Sequence, residues 1–161
     1  MDWSELYSMQ KSLDDYIESQ HELANKDLFQ EKYLALLVEL GELANETRCF
    51  KFWSTKSRND KEVILEEYVD GIHFIMSLGL EKGYQYTGDT IGTTENTETQ
   101  QFNLVFEACN SFKLQPTEQN YQSMFEIYLQ LGELLGFDEA SVQGAYFKKN
   151  EINYDRQNQG Y

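Results

Sequence analysis

The sequence predicts an all-α fold, a helical bundle, on the strength of three observations. Only one proline, Pro116, occurs among the 161 residues, and proline breaks the interior of a helix. Apolar residues recur at three- and four-residue spacing along most of the chain, which is the period of an amphipathic helix. No segment alternates apolar and polar residues convincingly, as a half-buried strand would. We therefore expect an almost entirely helical single domain over residues 1–161.

Apolar periodicity predicts three helices in the first half of the chain. The first covers about residues 3–22, with Trp3, Leu6 and Leu13 on one stripe. The second covers about residues 27–49 and the third about residues 60–82.

The second half opens with a segment of different composition and then returns to helical periodicity. Residues 83–101 are rich in Gly, Thr, Asn and Gln and lack periodic apolar positions, so we expect a loop or a variable insertion. A fourth helix is expected over about residues 102–113. A fifth runs from Pro116, in the first turn, to about residue 135, and a sixth follows an Asp138 cap and ends near residue 152.

The charge balance excludes several classes of partner. Lys and Arg number 13 against 28 Asp and Glu, for a formal net charge of −15. A surface for nucleic acid or an anionic membrane needs a basic stripe, so a metal cation is the better partner for this chain. Two cysteines, Cys49 and Cys109, support neither a disulfide scaffold nor a zinc cluster. The start of the sequence lacks a signal peptide, and no stretch approaches the ~18 apolar residues of a membrane span. We therefore expect a cytoplasmic protein.

Acidic residues fall on the apolar faces of the second and third helices. At about 100° of turn per residue, Glu39, Glu42 and Glu46 lie in one narrow arc among leucines, and Glu67 and Asp70 lie on the apolar face of the third helix. Buried like charges are costly unless they are protonated or bind a cation. Oxygen-only ligands suit Mg²⁺, with Mn²⁺ as a substitute, and Mg²⁺ commonly binds phosphate oxygens. Phosphoryl or pyrophosphoryl chemistry is the leading hypothesis. The alternative is a solvated helix edge, which the absence of any basic residue between 35 and 44 disfavours.

Donor side chains cluster near the carboxyl end. Lys149, Asn153 and Arg156 stand at i, i+4 and i+7 and share one face if the sixth helix continues. Arginine grips phosphate oxygens bidentately and lysine supplies a point charge. The alternative interpretation is that these basic residues only stabilise the carboxyl end of the helix by interacting with the helix dipole. Together with the carboxylates, the strip favours phosphate binding.

Four segments together resemble the dimeric, all-α dUTPase family, relatives of the MazG-type nucleoside triphosphate pyrophosphatases. These segments are ELGELANE at 39–46, FKFWS at 50–54, EEYVDGIHF at 66–74 and KKNEINYDRQ at 148–157. The resemblance extends over nearly the whole chain. It implies a homodimer that hydrolyses dUTP, and also dUDP, to dUMP with Mg²⁺, and so limits uracil incorporation into DNA. If the chain is phage-encoded, the expected location is the cytoplasm of the bacterial host; some phage-encoded members of the family bind repressor proteins, so the resemblance also suggests a repressor protein as a partner.

The resemblance also implies roles for individual residues. It assigns the metal to Glu39, Glu42, Glu67 and Asp70, with Glu39 or Glu42 as the base that accepts a proton from the attacking water. It assigns the phosphate clamp to Lys149, Asn153 and Arg156. Base recognition falls to Gln10 and Trp53, with Asp14 where the family often has asparagine. His73 and Phe74 match positions near the nucleoside, and Phe74 would lie against the deoxyribose.

Two other functions fit the same residues. A pyrophosphatase for another nucleotide, such as dCTP or a modified triphosphate, would share the carboxylates and differ at Gln10, Asp14 and Trp53. A regulatory module that captures a repressor protein would use its carboxylates as phosphate mimics, and that role can accompany catalysis. The residues alone do not choose between attack at the α- and β-phosphorus; the resemblance favours β.

Overall fold

The computed structural model describes residues 1–88 and 91–161, and it confirms the all-α prediction. Over those residues the chain forms six α-helices and no strand. Their bounds are α1 Trp3–Gln20, α2 Phe29–Thr47, α3 Lys61–Lys82, α4 Glu98–Leu114, α5 Glu118–Leu134 and α6 Glu139–Asn158. None of these helices is both long enough and apolar enough to span a bilayer.

The first three helices match their expected positions to within two residues, but α4 begins earlier than the composition suggested. A capping box starts it: the Thr97 side chain accepts from the Gln100 backbone amide, and the Gln100 side chain accepts from the Thr97 amide. The last residues of the 83–101 segment are therefore helical, which corrects the prediction of a loop to residue 101. Asp89 and Thr90, in the same segment, lie outside the described residues.

The starts of α5 and α6 are set by side-chain caps. Thr117 caps α5 by accepting from the amide of Asn120, so Pro116 precedes the helix and does not lie in its first turn as expected. Asp138 caps α6 by accepting from the amide of Ser141, as predicted.

The sixth helix continues to Asn158, beyond the expected end near residue 152. Its extension packs on α1: Tyr16 contacts Tyr154 with ring centroids 5.2 Å apart, and the Tyr16 hydroxyl donates to Asn158 Oδ1 at 2.6 Å. These contacts lie far apart in sequence, so local periodicity did not reveal them.

The central element is α3, which contacts α1, α2, α5 and α6. Its buried residues lie all around the helix axis, as expected of a helix enclosed in a core. They are Ile64, Tyr68, Val69, Gly71, Ile72, His73, Ile75, Met76, Ser77, Leu78 and Gly79. The polar members of this set are buried, so they need partners from neighbouring helices.

Tyrosines and glycines interlock α3 with α5. Tyr68 of α3 lies over Gly132 of α5, and Tyr128 of α5 lies over Gly71 of α3. The two tyrosine rings stack with centroids 4.8 Å apart, and the Tyr128 hydroxyl donates to the Tyr68 carbonyl at 2.7 Å. This packing fixes the position of α3, and with it the polar residues that α3 turns toward α1, α2 and α6.

Candidate active site

Three carboxylates from two helices meet in one cluster. Glu39 of α2 and Glu67 and Asp70 of α3 are half-buried, and each offers an oxygen within 4.8 Å of the others. Helix α2 packs closely on α3, and the i, i+3 spacing of Glu67 and Asp70 places both on the side of α3 that faces Glu39. The sequence predicted these three residues as neighbours.

The electrostatics of the cluster are unfavourable for three negative charges. Burial, followed by the charges of Asp70 and Glu42, raises the pKa of Glu39 and the pKa of Glu67 to about 7. Burial also raises the pKa of Asp70, although a hydrogen bond from Lys149 opposes the shift. A divalent cation would relieve this repulsion, and a set of carboxylate oxygens without histidine or cysteine suits Mg²⁺ or Mn²⁺. The donor set therefore fits the metal that the sequence implied.

Glu42 and Glu46 differ from the expectation that their whole arc is buried. Glu42 is exposed and is not one of the three clustered carboxylates, although its charge contributes to the raised pKa of Glu39 and of Glu67. Glu46 is half-buried and accepts a hydrogen bond from Asn59 Nδ2 at 2.6 Å. A helical projection gives the direction of a side chain but not what covers it, and Glu42 is exposed.

Helix α6 places the ammonium group of Lys149 beside the carboxylate cluster. The Lys149 side chain is 9% exposed, and its Nζ lies 2.6 Å from Asp70 Oδ2 and 3.0 Å from Glu66 Oε1. Asn153 and Arg156 line the same cavity as Lys149, so the i, i+4, i+7 strip predicted from the sequence lies on one face. Glu66 is exposed and contacts Lys149 from the solvent side.

Glu39 and Asp70 of the cluster, together with Lys149, border a cavity of about 540 Å³ between α1, α2, α3 and α6, whereas Glu67 is not among the residues that line it. Nine of the residues singled out from the sequence line it, namely Gln10, Asp14, Glu39, Asp70, His73, Phe74, Lys149, Asn153 and Arg156. Trp53 does not border this cavity; it is 65% exposed, in the segment after α2, with its ring against Phe50 and Phe52. Its role in base recognition stays a prediction.

Away from the carboxylate cluster, α1 and α3 form a polar network. Gln10 Nε2 donates to Asp14 Oδ1 at 2.8 Å, and Ser77 Oγ donates to Asp14 Oδ2 at 2.6 Å. Because the Gln10 amide nitrogen faces a carboxylate, its oxygen faces the other way, where it accepts from Tyr146 Oη at 2.9 Å and from His73 Nδ1 at 2.7 Å. Gln10 is therefore held in one orientation.

The same network fixes the state of His73. Burial, followed by the charge of Lys149, lowers the pKa of His73 to about 3, so the imidazole is neutral at physiological pH. Its Nδ1 carries the hydrogen that Gln10 accepts, which leaves Nε2 as an acceptor. In the described part of the chain, Nε2 is buried without a hydrogen-bond partner, and His73 borders the cavity. A bound molecule with a donor group would satisfy it.

Sequence reasoning missed two residues of this network, Lys32 and Ser77. Lys32 Nζ lies among three carboxylates: 2.6 Å from Glu81 Oε1, 3.2 Å from Glu18 Oε1 and 3.8 Å from Asp14 Oδ2. Lys32 stands seven residues before Glu39, so the two share one face of α2. This seven-residue spacing could have identified Lys32 as a residue of the cavity from the sequence. Ser77 stands seven residues after Asp70 on α3, and the same argument would have found it.

A helical fold that brings clustered carboxylates together with a lysine and arginine strip is the arrangement of an all-α nucleoside triphosphate pyrophosphatase. The model of the dUTPase family matches residues 2–161, and the chain belongs to this family. The resemblance drawn from the sequence motifs is confirmed. Comparison with curated proteins gave no match. Family membership makes the chain a dUTP diphosphatase, a hydrolase that acts on acid anhydrides.

Proposed function

We propose that the chain hydrolyses dUTP, and dUDP, to dUMP within the cavity bordered by α1, α2, α3 and α6. The observation that carries this proposal is the order of polar groups along one face of α3. Asp70, His73 and Ser77 follow one another on the side that borders the cavity. Asp70 and Ser77 are separated by about 10 Å of helix rise, at 1.5 Å per residue. That span suits a nucleotide with its phosphates at Asp70 and its base near Ser77.

Glu39, Glu67 and Asp70 would hold Mg²⁺, or Mn²⁺ in its place, with Glu42 at the open edge, and the cation would supply charge neutralisation and a more acidic water. Glu39 or Glu42 would accept the proton from the attacking water. The family resemblance favours attack at the β-phosphorus.

The face formed by Lys149, Asn153 and Arg156 would bind the phosphate oxygens. Lys149 is nearly buried and paired with Asp70 and Glu66, so phosphate offers it another anionic partner. Arg156 is exposed and near Tyr161, with 5.4 Å between the guanidinium carbon and the ring centroid. Its planar fork supplies bidentate contacts as charge builds on the leaving group.

Gln10, Asp14 and His73 would recognise the base; a contact from Trp53, which does not border the cavity, stays a prediction. Gln10 Nε2 has a second hydrogen to donate, and both the Asp14 carboxylate and His73 Nε2 can accept. Uracil presents a donor at N3 between two carbonyl acceptors, which matches such a mixed set. Phe74 borders the cavity one residue after His73, and it would exclude a ribose by leaving no room for a 2′-hydroxyl.

A homodimer is the assembly that the surface of α2 supports. Leu34 and Val38 are 62% and 50% exposed at i and i+4 on this helix, and Phe52 beyond its end is 93% exposed. Gly41 continues the same face without a neighbouring atom within 4 Å of a Cβ placed there. An apolar helix face of this kind suits burial against a second copy of the chain.

The test of this function is pyrophosphate release from a panel of dUTP, dUDP, dCTP, dTTP and UTP in the presence of Mg²⁺. We expect release from dUTP, phosphate release from dUDP, and little turnover of the others. Glu42→Gln should abolish turnover with little loss of stability, whereas the exposed Glu62→Gln on α3 should behave as wild type. Equal turnover of dCTP would favour the alternative of another nucleotide, since the Asp14 carboxylate also accepts from a cytosine amino group. Turnover of no nucleotide would contradict the proposal and favour a binding module.

A further inference from the structure

Lys32 connects three helices at the Ser77 end of the cavity. It extends from α2, and its three carboxylate neighbours are Asp14 and Glu18 of α1 and Glu81 of α3. The Lys32 side chain is 14% exposed, so solvent screens these pairs less than it would on an open surface. Lys32, Asp14 and Glu18 all border the cavity.

Asp14 is the member of this group that also belongs to the polar network. It accepts from Gln10 through Oδ1 and from Ser77 through Oδ2, and Lys32 lies on the Oδ2 side. A carboxylate oxygen accepts about two hydrogen bonds, so Oδ1 keeps a free position for a ligand. Among the described residues, Lys32 is the one lysine or arginine whose side-chain nitrogen lies within ion-pair distance of an Asp14 oxygen.

We propose that Lys32 is a positioning residue for base recognition: it holds the Asp14 carboxylate ionised and fixed in direction, so that Asp14 meets the base only as an acceptor. This inference rests on the proposed function, in which the base lies at this end of the cavity. Lys32 itself does not touch the reacting atoms, which lie at the Asp70 end.

Loss of Lys32 would change the balance that keeps Asp14 ionised. Burial, and to a smaller extent the charge of Glu18, raises the pKa of Asp14, whereas the hydrogen bond from Ser77 and the charge of Lys32 oppose this shift. Without the lysine, the balance moves toward a protonated Asp14 or a side chain turned toward water. A protonated Asp14 presents a donor where the ionised form presents an acceptor, so recognition of the N3 hydrogen of uracil is lost. The phosphate end, built by Asp70 and Lys149, is unaffected.

The experiment compares Lys32→Met, Lys32→Arg and Lys11→Met in full-length protein. Lys11 forms an exposed pair with Asp15 on α1 at 2.7 Å and does not border the cavity, so it is the matched control. We expect Lys32→Met to raise the KM for dUTP at least about tenfold, the scale of one lost charged hydrogen bond, with kcat changed much less. Lys32→Arg should restore most of the KM, and Lys11→Met should match wild type.

A direct binding measurement separates this inference from the proposed function. Calorimetry with dUMP in EDTA should show about tenfold weaker binding to Lys32→Met than to wild type. If Lys32 only ties the helices together, its loss lowers Tm and the active fraction but leaves KM and dUMP affinity unchanged, which would overturn the inference. If Lys32→Met does not fold, the double variant Lys32→Met with Glu81→Gln removes the closest unpaired carboxylate as well and gives the same readouts. A wild type that does not hydrolyse dUTP would instead refute the proposed function.

Discussion

Replacing Gly71 with alanine should destabilise the fold strongly, although alanine is the better helix former. A Cβ placed on Gly71 would lie 2.1 Å from Tyr128 Oη and 2.7 Å from its Cζ. Tyr128 is fully buried, and its hydroxyl donates to the Tyr68 carbonyl at 2.7 Å. The ring cannot move without breaking that hydrogen bond and its stacking on Tyr68.

The magnitude follows from three contributions. Overpacking a core costs about 1–3 kcal/mol, and an unsatisfied buried hydrogen-bonding group costs about 1–3 kcal/mol. Alanine returns about 1 kcal/mol through helix propensity. We therefore expect Gly71→Ala to lower the free energy of unfolding by about 3 kcal/mol, taking these contributions together.

Urea denaturation at a single protein concentration measures the effect, because dimerisation would make stability depend on concentration. A loss of about 3 kcal/mol moves the midpoint by about 1.5 M at a slope of about 2 kcal/mol per molar urea. The control is Gly144→Ala in α6, where a Cβ meets no atom within 4 Å, and it should gain up to about 1 kcal/mol. If both alanine variants gain stability alike, the interlock between α3 and α5 does not exist as described.

Three further predictions test the charges and the surface. In EDTA, Glu67→Gln should gain stability relative to wild type as the pH rises from about 4.5 to about 7. The pKa of Glu67 is about 7 in the folded protein, so folded wild type keeps a proton that the unfolded chain releases, and wild type loses stability over this range. A difference in unfolding free energy between the two proteins that does not vary with pH would contradict this. Arg156→Gln should raise the KM for dUTP about tenfold with little change in Tm, whereas an unchanged KM would remove Arg156 from the phosphate site. Val38→Asp, on the exposed face of α2, should yield a monomer by light scattering. The control Leu114→Asp, at an exposed leucine outside α2, should keep the wild-type mass. The same mass for both variants would exclude the α2 face as the dimer contact.

Much of the fold was predictable because it depends on local patterns. Three- and four-residue spacing located all six helices, and Asp138 marked the start of α6. The start of α4 was missed because its first turn is polar throughout, and only the reciprocal bonds of Thr97 and Gln100 define it. The end of α6 was missed because contacts with α1, distant in sequence, support its last turns.

The site divides in the same way. Helical spacing predicted that Glu67 and Asp70 lie together and that Lys149 shares one face of α6 with Asn153 and Arg156, because each of these relations lies within a single helix. The exposure of Glu42 could not be predicted, because a helical projection gives the direction of a side chain but not what covers it. Lys32 was missed for a related reason: its three acidic partners come from two other helices.

The most direct test of the central claim is calorimetric titration of Mg²⁺ into the full-length protein without nucleotide. We predict that wild type binds the cation and that the triple variant Glu39→Gln, Glu67→Gln and Asp70→Asn does not, while circular dichroism shows the same helix content for both. Cation binding by the triple variant with wild-type affinity and stoichiometry would contradict the assignment of these carboxylates as the metal site.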